Sequence, residues 1–211
     1  MATALTMAEV WHRAWRKLRI IACVQTARRD WARLRTADAV KLELGAGRKR
    51  GAQGWTTVDL FGADITHDMR RRIPMPPSSV DAIYTSHALE HFYFDQVIAI
   101  LRDCHRVLKS GGTLSVCVPN AGYYLRAYAQ GTEFFPQEHL YQPALIKTGS
   151  HIDQVNYIAY MCGRHRYMFD EENLINTIRK AGFGNVKLRA FDPALDLARR
   201  DFESIYALAV K

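Results

Sequence analysis

An apolar run, Val40-Lys41-Leu42-Glu43-Leu44, breaks directly into Gly45-Ala46-Gly47. A short strand that ends on glycines can turn sharply, and its bare backbone lets a ligand come close. The pattern then repeats. Residues 55–60 form a second strand-like run, with Asp59 near its end. Pro74, Pro76 and Pro77 break the chain before a third run at 80–85. Residues 94–108 show helical spacing, with Val97, Ile100, Leu101, Cys104 and Leu108 on one face and Gly111-Gly112 as the stop. The β-branched run 113–118 closes at Pro119. Asp170 is placed to cap a helix that turns Leu174, Ile175 and Ile178 inward and stops at Gly182, and strands follow at 186–191 and 205–210. Strands alternating with helices predict an α/β domain with a mostly parallel sheet. Ligands in such sheets sit at the carboxyl ends of the strands, so the loops after Leu44, Leu60, Thr85 and Val118 are where chemistry is expected.

Two segments stand outside this alternation. Residues 8–36 read as one or two amphipathic helices through Val10, Ala14, Leu18, Ile21 and Val24, with Trp11, Trp15 and Trp31 among them. Such a segment can pack on the domain, cover a site, form a homodimer surface or lie on a membrane. Residues 121–166 have little periodicity and many aromatics, and read as an insertion over the same sheet edge. Tyr123, Tyr124, Tyr128, Phe134, Phe135 and Tyr141, then Tyr157, Tyr160 and Tyr167, suit either lid packing or stacking on sugars, phenols or bases.

The net charge of +8 is concentrated in residues 11–35 and in Arg70-Arg71-Arg72, a distribution expected of solvated helix and loop faces. The four cysteines, Cys23, Cys104, Cys117 and Cys162, form no C-x-x-C pair, so no disulfide framework is expected. No run reaches the roughly 18 apolar residues of a membrane span, and Met1 to Val10 lack a basic start and a long apolar stretch, so a cytoplasmic protein is expected.

The order of the acidic residues narrows the ligand. Asp59 can accept both hydroxyls of a ribose. Asp68, after His67, can accept from an adenine amino group, with Met69 packed on the ring. A dinucleotide site would need a third glycine where Arg50 stands, and no Gly-Lys-Ser/Thr of a phosphate loop follows.

These residues resemble the class I S-adenosylmethionine (SAM)-dependent methyltransferases. Glu43-Leu44-Gly45-Ala46-Gly47 matches the family's first motif, Asp59 its ribose-binding acid and Asp68 its adenine-side acid. Ser79-Val80-Asp81-Ala82-Ile83-Tyr84 resembles its approach to the fourth strand, and Arg106 to Gly112 the turn before the fifth. The resemblance covers residues 40–118. It implies a Rossmann-like sheet of seven mostly parallel strands with helices on both faces, an N-terminal helical extension over 1–37 and a SAM-binding domain over 38–211, with 121–166 inserted at the acceptor site. It also implies SAM as cofactor, held by Glu43, Gly45, Gly47, Asp59, Asp68, Met69 and Ser86.

Ser86-His87-Ala88-Leu89-Glu90-His91 follows the third run. The Asn/Asp-Pro-Pro-Tyr/Phe tetrad of amino-group methyltransferases is absent, and Cys117 lies within a strand rather than in an active loop, which leaves O-methylation. If a helix starts at Ser86, then His87, Glu90 and His91 share one face and can bind a divalent metal, Mg²⁺ or Mn²⁺. Such a metal would lower the pKa of a hydroxyl acceptor. His139, beside Glu138, can add a ligand or a general base, and His151, Asp153 and His165 are further candidates. The pattern is similar to the E-x-x-E-H plus distant His of metal-dependent O-methyltransferases of the ubiquinone and small-RNA types, with His87 in place of the first Glu. The same letters satisfy the H-x-x-E-H zinc-peptidase signature, which leaves the glycine turn and Asp59 unexplained. His165 to Asp170 resembles methyltransferases of glycan pathways, and in general pattern and size the chain is similar to the 1-O-methyltransferases of methylmannose polysaccharide synthesis, which implies a saccharide or other small-molecule acceptor and makes nucleic acid a poor partner. An RNA methyltransferase and a non-catalytic SAM-binding subunit are the alternatives.

Overall fold

The computed structural model describes residues 26–211. Seven strands form one sheet: β1 (Lys41–Leu44), β2 (Trp55–Asp59), β3 (Ile65–Thr66), β4 (Val80–Ser86), β5 (Leu108–Pro119), β6 (Asn185–Leu188) and β7 (Ser204–Val210), in the order β3-β2-β1-β4-β5-β7-β6. All neighbours are parallel except β7, which runs antiparallel to both β5 and β6. The Rossmann-like, mostly parallel sheet read from the sequence is therefore present.

Among the described residues, five α-helices lie around it: α1 (26–34), α2 (Phe94–Val107), α3 (Ala121–Ala129), α4 (Ile152–Tyr160) and α5 (Glu171–Lys180). The described part of the N-terminal segment packs inward. Ala27 and Trp31 are buried in the same core as Leu42, Leu44, Val58 and Ile83. Val10, Trp11, Ala14, Trp15, Leu18, Ile21, Cys23 and Val24 lie outside the described residues. Helix α2 buries Val97, Ile100, Leu101 and Cys104 as its spacing required. It ends at Val107, not at the glycine pair, because Leu108 is already extended and paired with Val80. Gly111, at φ +76°, lies inside β5 instead, where the register with β4 shifts between Val80 and Ala82.

The segment 121–166 departs from its aperiodic reading. It contains α3 and α4, which build a small core of their own from Tyr124, Leu140, Ala144, Tyr157 and Ile158. Most of its rings pack on one another: Tyr123 stacks on Phe134 and Phe135 on Phe202. The Tyr124 hydroxyl donates to Glu203 Oε2 at 2.7 Å and ties this unit to the loop before β7.

Asp170 caps α5 as expected, its carboxylate accepting from the Asn173 N–H at 2.7 Å. Asp170→Ala should cost about 1 kcal/mol, a fall in Tm of roughly 2–4 °C for a domain of this size. Thermal unfolding checks this, and an unchanged Tm would show that the cap contributes nothing.

Candidate cofactor and acceptor site

The parallel register brings the carboxyl ends of β1, β2 and β4 level, so the three loops that follow face one cleft of about 940 Å³. Gly45 takes φ +72° and Gly47 φ +66°. A side chain at Gly45 would stand 2.4 Å from Ala88 Cβ, so only glycine lets the β1 and β4 loops close on each other here. Asp59, at the end of β2, accepts from the Gly47 N–H at 2.9 Å and so ties the glycine turn to the second strand. Glu43 is buried and receives both hydrogen bonds of Lys49 Nζ at 2.9 Å. Asp68 is held by a two-pronged contact from Arg70, which keeps its carboxyl below the usual range. Glu43, Gly45, Gly47, Asp59, Asp68, Met69 and Ser86 all line this cleft.

The loop after β4 is not the helix the Ser86 reading required. Ser86 ends the strand, His87 adopts φ +47°, and Leu89–His91 make a single 3-10 turn. His87, Glu90 and His91 therefore share no helical face. What replaces that face is a fold-back. The Glu90 carbonyl accepts from the Arg166 N–H at 2.8 Å, and this carries the 165–167 segment onto the turn.

Glu90 is the centre of the arrangement. It is 3% exposed, and its Oε2 has no hydrogen-bond partner. His87 Nδ1 lies 3.9 Å and His91 Nε2 3.8 Å from Glu90 Oε1. Glu90, His91 and His165 offer ligand atoms all within 4.8 Å of one another. The other nitrogen of each ring is committed. His91 Nδ1 faces the Arg164 carbonyl at 3.1 Å and His165 Nδ1 the Ile158 carbonyl at 2.7 Å. A carbonyl only accepts, so each Nδ1 carries the proton and each Nε2 keeps its lone pair. The Ser204 hydroxyl donates to the Arg200 carbonyl, so it accepts from His87 Nε2–H, and His87 Nδ1 also keeps its lone pair. Burial pushes His87 down to about 3 and His165 to about 4, so these rings stay neutral, and it pushes Glu90 up to about 8. The cluster thus gathers acceptors around a carboxylate with no donor among them, a site that suits a cation or a proton.

A second cavity of about 530 Å³ opens beside the first and shares His87, His91, Arg199 and Arg200 with it. Glu90, His139, Tyr141, Tyr157, Arg164, His165 and Glu203 line the rest of its polar wall. Of the rings noted in the sequence, Tyr141 and Tyr157 reach this cavity. His139 is exposed on a 3-10 turn, Gln137–His139, and Glu138 is exposed beside it. Asp153 is spent on Thr148, accepting from its backbone and hydroxyl, and neither it nor His151 lines either cavity. Sequence reading missed Arg199 and Arg200 altogether. They lie in the loop between β6 and β7, and nothing local marks that loop as part of a site. The loop is anchored by buried Asp196, which accepts from Arg189 and from the Tyr84 hydroxyl.

Comparison with known proteins agrees with this geometry. The chain is similar to a SAM-dependent methyltransferase from Archaeoglobus fulgidus at 14% identity, covering 98% of this chain and 100% of that one, with a TM-score of 0.52. It is similar to a SAM-dependent methyltransferase from Thermotoga maritima, a candidate histamine N-methyltransferase, at 16% identity over 97% and 96% of the two chains, with a TM-score of 0.50. A candidate O-methyltransferase from Nostoc punctiforme matches at 15% identity over 100% of this chain and 64% of that one, also at 0.50. At these identities the likeness establishes the fold, and it does not separate oxygen from nitrogen acceptors. No curated protein matches the chain. Residues 21–116 match the family described as a methyltransferase domain.

Proposed function

We propose that the protein transfers the methyl group of SAM to a hydroxyl of a saccharide or similar small molecule, as in polysaccharide biosynthesis. The observation that carries this reading is the junction of two cavities: a cleft built on the glycine turn and Asp59 meets a polar pocket at His87 and His91. A cofactor in the first would present its sulfonium carbon toward an acceptor in the second. In-line transfer needs that juxtaposition more than any single group. A pocket of this size suits a small molecule or a sugar unit.

Glu43, Gly45, Gly47, Asp59, Asp68, Met69 and Ser86 are assigned to the cofactor. His87, Glu90 and His91 are assigned to a divalent cation, Mg²⁺ or Mn²⁺, with His165 joining them. The partnerless Oε2 of Glu90 and the imidazole lone pairs facing it fit such an ion. When bound, it would polarise the acceptor hydroxyl. The carbonyls behind His91 and His165 fix their rings, as supports behind metal ligands do. His139, on the exposed rim, is assigned as the base that takes the hydroxyl proton, or as a further ligand. The 1–37 segment is assigned as an extension to the 38–211 domain, and a homodimer through it is compatible with this reading.

The test is methyl transfer from labelled SAM to oligosaccharides, phenols and RNA, with and without EDTA and added Mg²⁺ or Mn²⁺. Label on a saccharide hydroxyl, lost with EDTA, is expected. Label on RNA alone would replace this function, and transfer indifferent to EDTA would remove the metal. His139→Ala should lower turnover by roughly a hundredfold, the lower range for a lost acid–base group. SAM affinity should hold, and unchanged turnover would contradict the assignment.

A further inference from the structure

The wall of the second cavity carries an excess of positive charge that methyl transfer to a neutral hydroxyl does not require. Arg164, Arg199 and Arg200 line it. None of the three takes part in an ion pair among the described residues, although seven other pairs between Lys or Arg and an acid are formed. Arg200 is half-buried, at the point where both cavities meet. Arg164 lies over the ring of Tyr141 at 5.1 Å, which orients its guanidinium toward the same wall. The acids that share the cavity, Glu90 and Glu203, form no ion pair with them, although the charge of Arg200 acts on both. Glu203 accepts from the Tyr124 hydroxyl, and Glu90 lies beside the uncharged rings of His87 and His91. A guanidinium presents a planar fork of donors matched to a carboxylate or phosphate. Several such forks around one cavity, none in an ion pair among the described residues, leave a place for an anionic ligand.

We propose that the acceptor is anionic: a small molecule carrying a carboxylate or phosphate, which Arg199 and Arg200, with Arg164 opposite, hold while its hydroxyl faces the cofactor cleft. This rests on the reading of the second cavity as the acceptor site. The arginines here are specificity-determining rather than catalytic, since they grip a group remote from the methyl.

The full-length chain, saturated with S-adenosylhomocysteine (SAH), would be titrated by calorimetry with glucose 1-phosphate, glucuronate and glucose. At least one of the two acids should bind more tightly than glucose by about tenfold or more, and which one does separates phosphate from carboxylate. In an R199Q/R200Q variant that preference should disappear, with SAH affinity within about twofold of the parent. R200Q alone should lose part of it. Equal binding of glucose, no heat from either acid, or an undiminished preference in the double variant would overturn the inference. So would a parallel loss of SAH affinity, because the arginines would then serve the cofactor. A short single-stranded RNA that bound more tightly than both acids would also overturn it. Failure of SAH to bind the parent chain is a different result, and it would strike the methyltransferase reading beneath.

Discussion

Asp59→Ala should weaken SAH binding by about a hundredfold. A carboxylate that accepts from two ribose hydroxyls makes two charge-assisted hydrogen bonds, each worth roughly 1.5–3 kcal/mol. Losing about 3 kcal/mol corresponds to two powers of ten in Kd. The same carboxylate also accepts from the Gly47 N–H, so its removal loosens the glycine turn. Asp59→Asn keeps the shape and an acceptor oxygen, and should fall between the two. Calorimetry with SAH on the three proteins checks the order, and affinity within about threefold of the parent in Asp59→Ala would contradict the role.

The second large effect is at Glu90. Glu90→Gln should reduce turnover by about a thousandfold, in the middle of the range for removing a positioned acid–base or charge-bearing group. SAH affinity should stay close to that of the parent, because Glu90 lines the second cavity and not the first. Folding stability should hold or rise. The carboxylate is buried and half-unpartnered, so exchanging it for a neutral amide of the same shape relieves a desolvation cost. This pairing of lost activity with retained Tm separates a chemical role from a structural one. A variant that turned over normally but melted earlier would make Glu90 a folding residue only.

What the sequence made legible was what is local. The apolar run before Gly45, the α2 face from Val97 to Cys104 and the cap at Asp170 each depend on neighbours within a few residues, and each stands in the structure as read, whereas Leu108, read on that face, belongs to β5. Strand β3 escaped because it is two residues long and exists only through pairing with β2. Helices α3 and α4 escaped because their aromatic residues are split between a small core and the surface: Tyr124 and Tyr157 are buried, while Tyr128 and Tyr160 are exposed. A single apolar stripe is therefore missing. The helix expected from Ser86 failed for a tertiary reason. The chain there is bent by His87 at φ +47° and held by bonds from Arg166 and Tyr167 to the Glu90 carbonyl, residues far along the sequence. The same long-range closure brings His165 to Glu90 and Arg200 to the cavity junction. The residue types around Glu90 could be read from their letters, but their arrangement could not.

Everything chemical here depends on the cleft beneath the glycine turn accepting an adenosyl group with its sugar at Asp59. Calorimetry of the purified chain with SAH and, separately, with NADH tests that most directly. Saturable heat with SAH and none with NADH is the predicted outcome; tight binding of NADH with no response to SAH would contradict it.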